Sequence, residues 1–172
     1  MYTVGFHDRV EELKTAPQSD VGAPLPVVLA DEHRVLLAYL VSESNPDWDG
    51  TYVNVVSPDT DGSIAIITFN RCSVHLFGPP NDEAFGGHPL AKRGLQPYSV
   101  SEIHNSSWRK LRIKMNRVHS QHSDAMFADL RHFIFAFHDS TFECLATDFS
   151  VSMFRGSIND AVTHMAGLLA NS

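Results

Sequence analysis

Alternating apolar and polar positions along this chain predict three β-hairpins. Residues 27–29 pair with 34–41, 64–69 with 72–77, and 133–137 with 142–146. In the third hairpin Phe133, Phe135 and Phe137 alternate with Ile134 and Ala136, as expected for a strand with two different faces. Three further strands are predicted: a short one at 52–56, one at 149–154, and one at an edge of the sheet over 98–103.

Helical spacing of apolar residues predicts three helices. Residues 5–15 form a short N-terminal helix, followed by a proline-rich arm that reaches residue 26. Asn105 caps a second helix that runs to about residue 118. Ser157 caps a C-terminal helix, with Asp160 three residues later in a capping-box relation.

Together these elements predict an α+β fold. Hairpins outnumber helices and no strand–helix–strand alternation repeats, so we expect a mostly antiparallel sheet with helices packed on one face or end. A length of 172 residues predicts a single domain over 1–172, in which 1–26 are the N-terminal helix and arm.

Composition narrows the function classes. Thirteen Lys and Arg against 20 Asp and Glu give a net charge of −7, which argues against a nucleic-acid binder. No apolar run approaches the ~20 residues of a membrane helix, and the N-terminus lacks a secretory signal. Cys72 and Cys144 lie in apolar runs and are expected to be buried and reduced, which favours the cytoplasm.

The second predicted helix is strongly basic. Its side chains include Arg109, Lys110, Arg112, Lys114 and Arg117, with no acidic residue between positions 105 and 119. Such a stripe either docks an anionic partner or pairs with the protein's own acidic surface. The predicted edge strand at 98–103 separately allows a homodimer through sheet pairing.

The tip of the third hairpin holds the densest group of candidate catalytic residues. His138 is a candidate general base, and Asp139 or Glu143 is a candidate for the carboxylate that orients it. Ser140 is a candidate ligand contact. The alternative is that Asp139 and Ser140 only bond to nearby amides and shape the turn.

The ten histidines offer weaker candidates. His119, His122 and His132 are weak metal-ligand candidates, but they match no zinc motif, so we predict no metal and leave the cofactor open. Gly86 and Gly87 precede His88 and allow close approach of a backbone or a ligand, although the loop lacks the spacing of phosphate-binding motifs. The alternative is a tight loop that crosses the core. We therefore take these three residues as ligand-binding candidates.

The string Phe-His-Asp-Ser-Thr-Phe-Glu at 137–143 resembles a family of small bacterial proteins with no established activity. The similarity spans about residues 25–155 and includes Gly87-His88-Pro89-Leu90 and Asn116-Arg117-Val118-His119. The resemblance implies a bacterial, cytoplasmic setting and assigns no catalytic residue or cofactor.

We therefore expect a soluble, non-catalytic module that binds a small ligand or a protein. Its proposed surface combines the His88 loop with the tip at 138–143. The alternative is a hydrolase-like or metal-assisted enzyme that uses His138, Asp139 and Glu143.

Overall fold

Antiparallel strands in two sheets make up most of this protein. The computed structural model describes residues 2–32, 34–43 and 55–170, so most of the predicted strand at 52–56 lies outside the described residues. Within these ranges the strands are β1 (Arg9–Glu12), β2 (Val27–Ala30), β3 (Val35–Leu40), β4 (Gly62–Asn70), β5 (Val74–Gly78), β6 (Val100–His104), β7 (Arg131–Ala136), β8 (Thr141–Ala146) and β9 (Asp148–Gly156). The α-helices there are α1 (Ser107–Asn116) and α2 (Ile158–Ala170).

The strands divide into a five-stranded sheet, in the order β1-β6-β7-β8-β5, and a four-stranded sheet, in the order β2-β3-β4-β9. Each pairing in both sheets is antiparallel. The mostly antiparallel α+β fold is therefore confirmed. The sequence pattern predicted one sheet, because alternation shows which residues face inward and not which strands share a sheet.

An aromatic core lies between the two sheets. Tyr39 and Phe69 from the four-stranded sheet contact Phe133, Phe135 and Phe142 from the five-stranded sheet. The Phe69 and Phe135 rings lie 5.7 Å apart in an edge-to-face arrangement that their quadrupoles favour. The alternation of phenylalanines along β7 is thus explained by this inner face.

The outer face of each sheet is covered as well. Alternate residues of β3 and β4, such as Leu36 and Ile64, pack against Met165 of α2. On the five-stranded sheet, Ile134 and Leu145 pack against a cluster that includes Trp108 of α1. The two helices thus lie on different sheets, and β3 is apolar throughout because both of its faces are buried.

The first and third predicted hairpins are confirmed by the β2–β3 and β7–β8 pairings. The second is wrong, because β4 pairs with β3 and β9 whereas β5 pairs with β8 in the other sheet. Arg71, with a φ of 49°, lies where the chain leaves one sheet for the other. Two strands that follow each other closely need not be partners when a second sheet is available.

Two predictions near the N-terminus and at β6 are wrong. The predicted helix over 5–15 is instead strand β1, whose Val10 lies opposite Ile103 of β6. Pairing with a distant strand overrides a weak helical pattern in so short a segment. The predicted edge strand becomes β6, which lies between β1 and β7, so the argument for a homodimer through that edge is lost.

The helix caps are partly as expected. Ser157 and Asp160 form the predicted capping box, in which the Asp160 amide donates to Ser157 Oγ at 3.1 Å. At α1 the cap is Ser106, whose Oγ accepts from the Arg109 amide, while Asn105 adopts a φ of 58° before it. Across the described residues, no helix is long and apolar enough to cross a membrane.

Candidate functional site

A buried polar cluster lies on the outer face of the five-stranded sheet, centred on Glu143. Glu143 of β8 lies opposite Ile134, so it points to the same face as His132, two residues away on β7. Its Oε2 accepts a hydrogen bond from the Tyr2 hydroxyl at 2.7 Å and lies 3.1 Å from His132 Nε2. Its Oε1 lies 2.9 Å from Nε2 of His88.

The hydrogen bonds determine which imidazole nitrogens carry protons. The Leu90 amide donates to His88 Nδ1 at 3.1 Å, so the His88 proton is on Nε2 and is donated to Glu143. His132 Nδ1 lies 2.9 Å from Ser106 Oγ. With the Ser106 hydroxyl as donor to Nδ1, His132 also donates to Glu143 through Nε2. Three donors thus converge on a single carboxylate.

This arrangement makes Glu143 a stable buried anion. Burial alone would raise its pKa, but hydrogen bonds from His132, His88 and Tyr2 outweigh that effect and lower the pKa to about 2. Burial lowers the pKa of His132, so the ring is neutral beside the carboxylate. Burial, with the Glu143 charge, raises the pKa of Tyr2 far above its usual value, so its hydroxyl remains a donor.

Burial shields the side chains of this cluster from solvent, although Ser106 also lines a cavity of about 210 Å³. Tyr2, His88, Ser106, His132 and Glu143 are all buried, and the Tyr2 ring stacks on Trp108 at 5.2 Å. In the described part of the chain, no group of histidine, cysteine or carboxylate side chains could hold a metal ion. The arrangement therefore joins the N-terminus, the His88 loop, α1 and the β7–β8 hairpin.

A second polar cluster lies at the tip of that hairpin and is partly exposed. Asp82 Oδ2 lies 3.0 Å from His138 Nδ1 and also accepts the Tyr98 hydroxyl. The Tyr98 oxygen lies 2.9 Å from the same Nδ1, and the two rings stack. Because Tyr98 donates to Asp82, the Nδ1 proton of His138 faces these two oxygens, which leaves Nε2 as the acceptor nitrogen of the neutral ring.

The backbone and electrostatics hold this second cluster in place. Tyr98 has a φ of 56°, which is uncommon for a residue with a large side chain. The Asp82 amide donates to the His138 carbonyl at 2.8 Å, so the loop is fastened to the tip. The hydrogen bond to Asp82 raises the pKa of Tyr98 to about 12, and the same bond lowers the pKa of Asp82.

A groove runs beside Tyr98, and its volume is about 130 Å³. Its walls combine apolar and polar side chains, namely Leu13, Lys14, Pro17, Tyr39, Tyr98 and Phe137. The Tyr39 hydroxyl is already used, since it donates to the Pro17 carbonyl at 2.8 Å. Tyr98 thus belongs both to the groove and to the His138 cluster.

The predicted site residues of the hairpin tip do not form one constellation. Glu143 faces the buried cluster, whereas His138 bonds to Asp82 in place of the expected orienting partners. Asp139 is exposed, and its Oδ1 is 3.9 Å from His138 Nε2, too far for a hydrogen bond. Ser140 shapes the turn, because its carbonyl accepts the Phe137 amide.

The remaining candidates are also separated. His88 and His132 meet at Glu143, but Gly86 and Gly87 are exposed, and a Cβ at either would contact nothing within 4 Å. The expected close approach at these glycines is therefore not seen within the chain. His122 bonds to Asp124 at 2.6 Å and His119 accepts the Gln121 amide, so these two histidines make local contacts apart from His132.

Sequence reasoning missed Tyr2, Asp82, Tyr98 and Ser106. Ser106 is detectable in principle as a serine directly before a helical pattern, one residue after the predicted cap. Tyr2 and Tyr98 reach their partners across 141 and 40 positions, and no local pattern marks such contacts.

No protein-family model, curated protein or solved structure matches this chain. The resemblance to a bacterial family therefore stays a prediction drawn from the residues. The function has to be argued from the geometry of the two clusters and the groove.

Proposed function

We propose that this protein is a binding module that holds a small ligand in the groove beside Tyr98. One observation carries the proposal: Tyr98 lines the groove and also joins the partly exposed cluster of Asp82 and His138. A concave apolar surface next to a few fixed polar groups is the usual form of a small-molecule site.

The groove sets the size of the ligand. An engineered cavity of about 150 Å³ is enough for one benzene molecule. At about 130 Å³, the groove accommodates a single ring or a short branched chain. Leu13, Val100 and Phe137 supply apolar contacts, while Lys14 and Gln18 are polar groups of the same lining.

The proposed directional contact is His138, which does not line the groove itself but bonds to the groove residue Tyr98. Its side chain is 39% exposed, and its Nδ1 is occupied by Tyr98 and Asp82. Nε2 is therefore available to accept a hydrogen bond from a hydroxyl or amide of a ligand. The expected ligand is thus a small, mostly apolar molecule with one hydrogen-bond donor, such as a monocyclic alcohol.

The test is a ligand-detected NMR screen with a set of phenols, cyclohexanols and matched hydrocarbons. We expect phenols or cyclohexanols to bind at least about tenfold more tightly than the hydrocarbons, a difference of about 1.4 kcal/mol. Ala16 also lines the groove, so Ala16→Leu should abolish binding by filling it.

His138→Gln should reduce the preference for alcohols over hydrocarbons. His119→Gln, at an exposed histidine on another segment, is the control and should leave that preference unchanged. Equal binding by wild type and Ala16→Leu would refute the groove as the site.

A general-base enzyme is the second candidate, and the Asp82–His138 contact favours it. A carboxylate at Nδ1 orients an imidazole so that Nε2 can remove a proton. In this reading Asp82 takes the role that the sequence suggested for Asp139 or Glu143. Among the described residues, no serine, threonine or cysteine side chain bonds to His138, so the nucleophile would be water.

Hydrolysis of p-nitrophenyl esters separates the two candidates. If the protein is an enzyme, His138→Gln should abolish the activity and Asp82→Asn should remove most of it, while both variants fold like wild type. A binding module shows the same slow hydrolysis in wild type and both variants.

The setting of the protein is also a proposal. Its resemblance to small bacterial proteins suggests a bacterial cytoplasm. Cys144 is buried as expected, whereas Cys72 is only partly buried. Both are free thiols, which are typical of a reducing compartment.

A further inference from the structure

Helix α1 carries an exposed row of apolar side chains. Leu111, Met115 and Val118 follow each other at intervals of four and three residues, so they share one face of the helix and its C-terminal turn. They are 40%, 55% and 93% exposed. We call these three residues the apolar ridge. Along α1 itself, only Trp108 is buried.

A row of basic side chains runs beside the apolar ridge. Lys110, Lys114 and Arg117 each precede a ridge residue by one position, and all three are exposed. Arg117 pairs with Asp124 at 2.8 Å. Within the described ranges Lys110, Arg112 and Lys114 form no ion pair, so the expected pairing with the protein's own acidic surface is met only at Arg117.

Two buried donors on the same helix lack acceptors. Arg109 Nε and Arg112 Nε are the buried side-chain atoms without a hydrogen-bond partner in the described part of the chain. Arg109 donates through Nη1 to the carbonyls of Ala128 and Leu130. Buried donors are normally satisfied, so these two are unusual, but their burial keeps them out of reach of a docked partner.

We propose that α1 docks an acidic amphipathic segment of a protein partner. Apolar side chains of that segment would cover the ridge, and its carboxylates would pair with Lys110 and Lys114. This surface is separate from the groove beside Tyr98, so the proposal stands or falls independently of the ligand. An amphipathic helix on a matching apolar face is a common mode of peptide recognition.

Charge and shape favour a protein segment over other anionic partners. Nucleic acid would leave the apolar ridge without a complement, because its backbone contacts are phosphates and sugars. An anionic membrane would meet the whole protein, whose net charge is −7, and α1 has only 10 residues to insert. A peptide, by contrast, contacts only the apolar ridge and the row of basic side chains beside it.

The test uses a fluorescein-labelled synthetic amphipathic helix with leucine on one face and glutamate on the other. Fluorescence anisotropy should give a Kd at least about tenfold lower than for the same peptide with glutamine at each glutamate. Binding should weaken as salt is raised, because exposed charges are screened. Equal affinity for the two peptides, or affinity independent of salt, would overturn the proposal.

Matched variants locate the site. Lys114→Glu and Met115→Ser should each weaken peptide binding by about tenfold or more. Lys92→Glu makes the same charge change at an exposed lysine outside α1, and Met153→Ser removes a methionine that is 57% exposed on β9. Both controls should bind like wild type.

Two further measurements decide between partners. Binding to phosphatidylserine vesicles without peptide binding would assign the ridge to membranes. Self-association by analytical ultracentrifugation that Met115→Ser abolishes, again without peptide binding, would assign it to a second copy. Either result refutes a protein partner of the proposed kind.

Discussion

His88 Nε2 lies 2.9 Å from Glu143 Oε1, and both side chains are almost fully buried. The two residues are 55 positions apart, one in a loop and one in β8. The contact fastens the loop to the sheet and supplies one of the hydrogen bonds that stabilise the Glu143 carboxylate. The stability of this protein therefore depends on a polar cluster outside its aromatic core.

Glu143→Gln should lower the free energy of unfolding by about 2–4 kcal/mol. The glutamine side chain offers one acceptor oxygen, whereas His88, His132 and Tyr2 present three donors. At least one buried donor then loses its partner. Urea denaturation measures the change, and Glu83→Gln, at an exposed glutamate, is the control that should stay within about 0.5 kcal/mol of wild type. If Glu143→Gln unfolds at the same urea concentration as wild type, the assignment of Glu143 as a buried anion is contradicted.

Acid should destabilise the fold through the same residue. The pKa of Glu143 is about 2 in the folded chain against an ordinary 4.5, so the unfolded chain binds more protons between these values. Stability is therefore fully present above about pH 4.5 and is lost as the pH falls towards 2, by about 3 kcal/mol in total. The lowered pKa of His132 acts in the same direction as pH falls below its ordinary 6.5.

The measurement is the difference in unfolding free energy between wild type and Glu143→Gln across this pH range. Carboxylates elsewhere contribute equally to both proteins and cancel. The difference should shrink as the pH is lowered from 5 to 2. A constant difference would show that folding does not lower the pKa of Glu143.

Tyr2→Phe should lower stability by about 1–2 kcal/mol, because it removes the hydroxyl that donates to Glu143 and keeps the ring stacked on Trp108. Tyr2→Ala should cost more, since the stacking is lost as well. Thermal unfolding of the two variants separates these contributions. If Tyr2→Phe and Tyr2→Ala are equally destabilised, the ring contributes nothing and the hydroxyl is the whole effect.

Sequence patterns predicted the parts of this fold that depend on neighbouring residues. The β7–β8 hairpin and the Ser157–Asp160 capping box follow from alternation and from a three-residue spacing. The pairing of β5 with β8 could not be predicted, because strand partners are selected by packing across the whole chain. A helix was predicted where β1 lies for the same reason: pairing with β6 is a long-range contact.

The candidate sites show the same division. His138, Glu143, His88 and His132 could be selected as buried or clustered polar residues, but their grouping could not. Alternation along β8 does predict that Glu143 and Phe142 face opposite sides of the sheet. It does not reveal which loop covers either side, and the loops supply Asp82, Tyr98 and His88.

Substitution of two glycines distinguishes backbone requirement from ligand contact. Gly156 has a φ of 149°, and a Cβ there would lie 3.0 Å from Phe154 Cε1 and 3.4 Å from Asp160 Oδ2. Gly156→Ala should therefore destabilise the protein by about 1–2 kcal/mol, through backbone strain and crowding before α2. Gly86→Ala should change stability by less than about 0.5 kcal/mol, because a Cβ there meets nothing within 4 Å. Differential scanning calorimetry gives both values.

The same pair of variants tests the ligand contact that the sequence predicts at Gly86. If a ligand approaches this glycine, Gly86→Ala should lose binding while its melting temperature stays unchanged. If Gly86→Ala instead melts as early as Gly156→Ala, the exposed position of Gly86 is wrong.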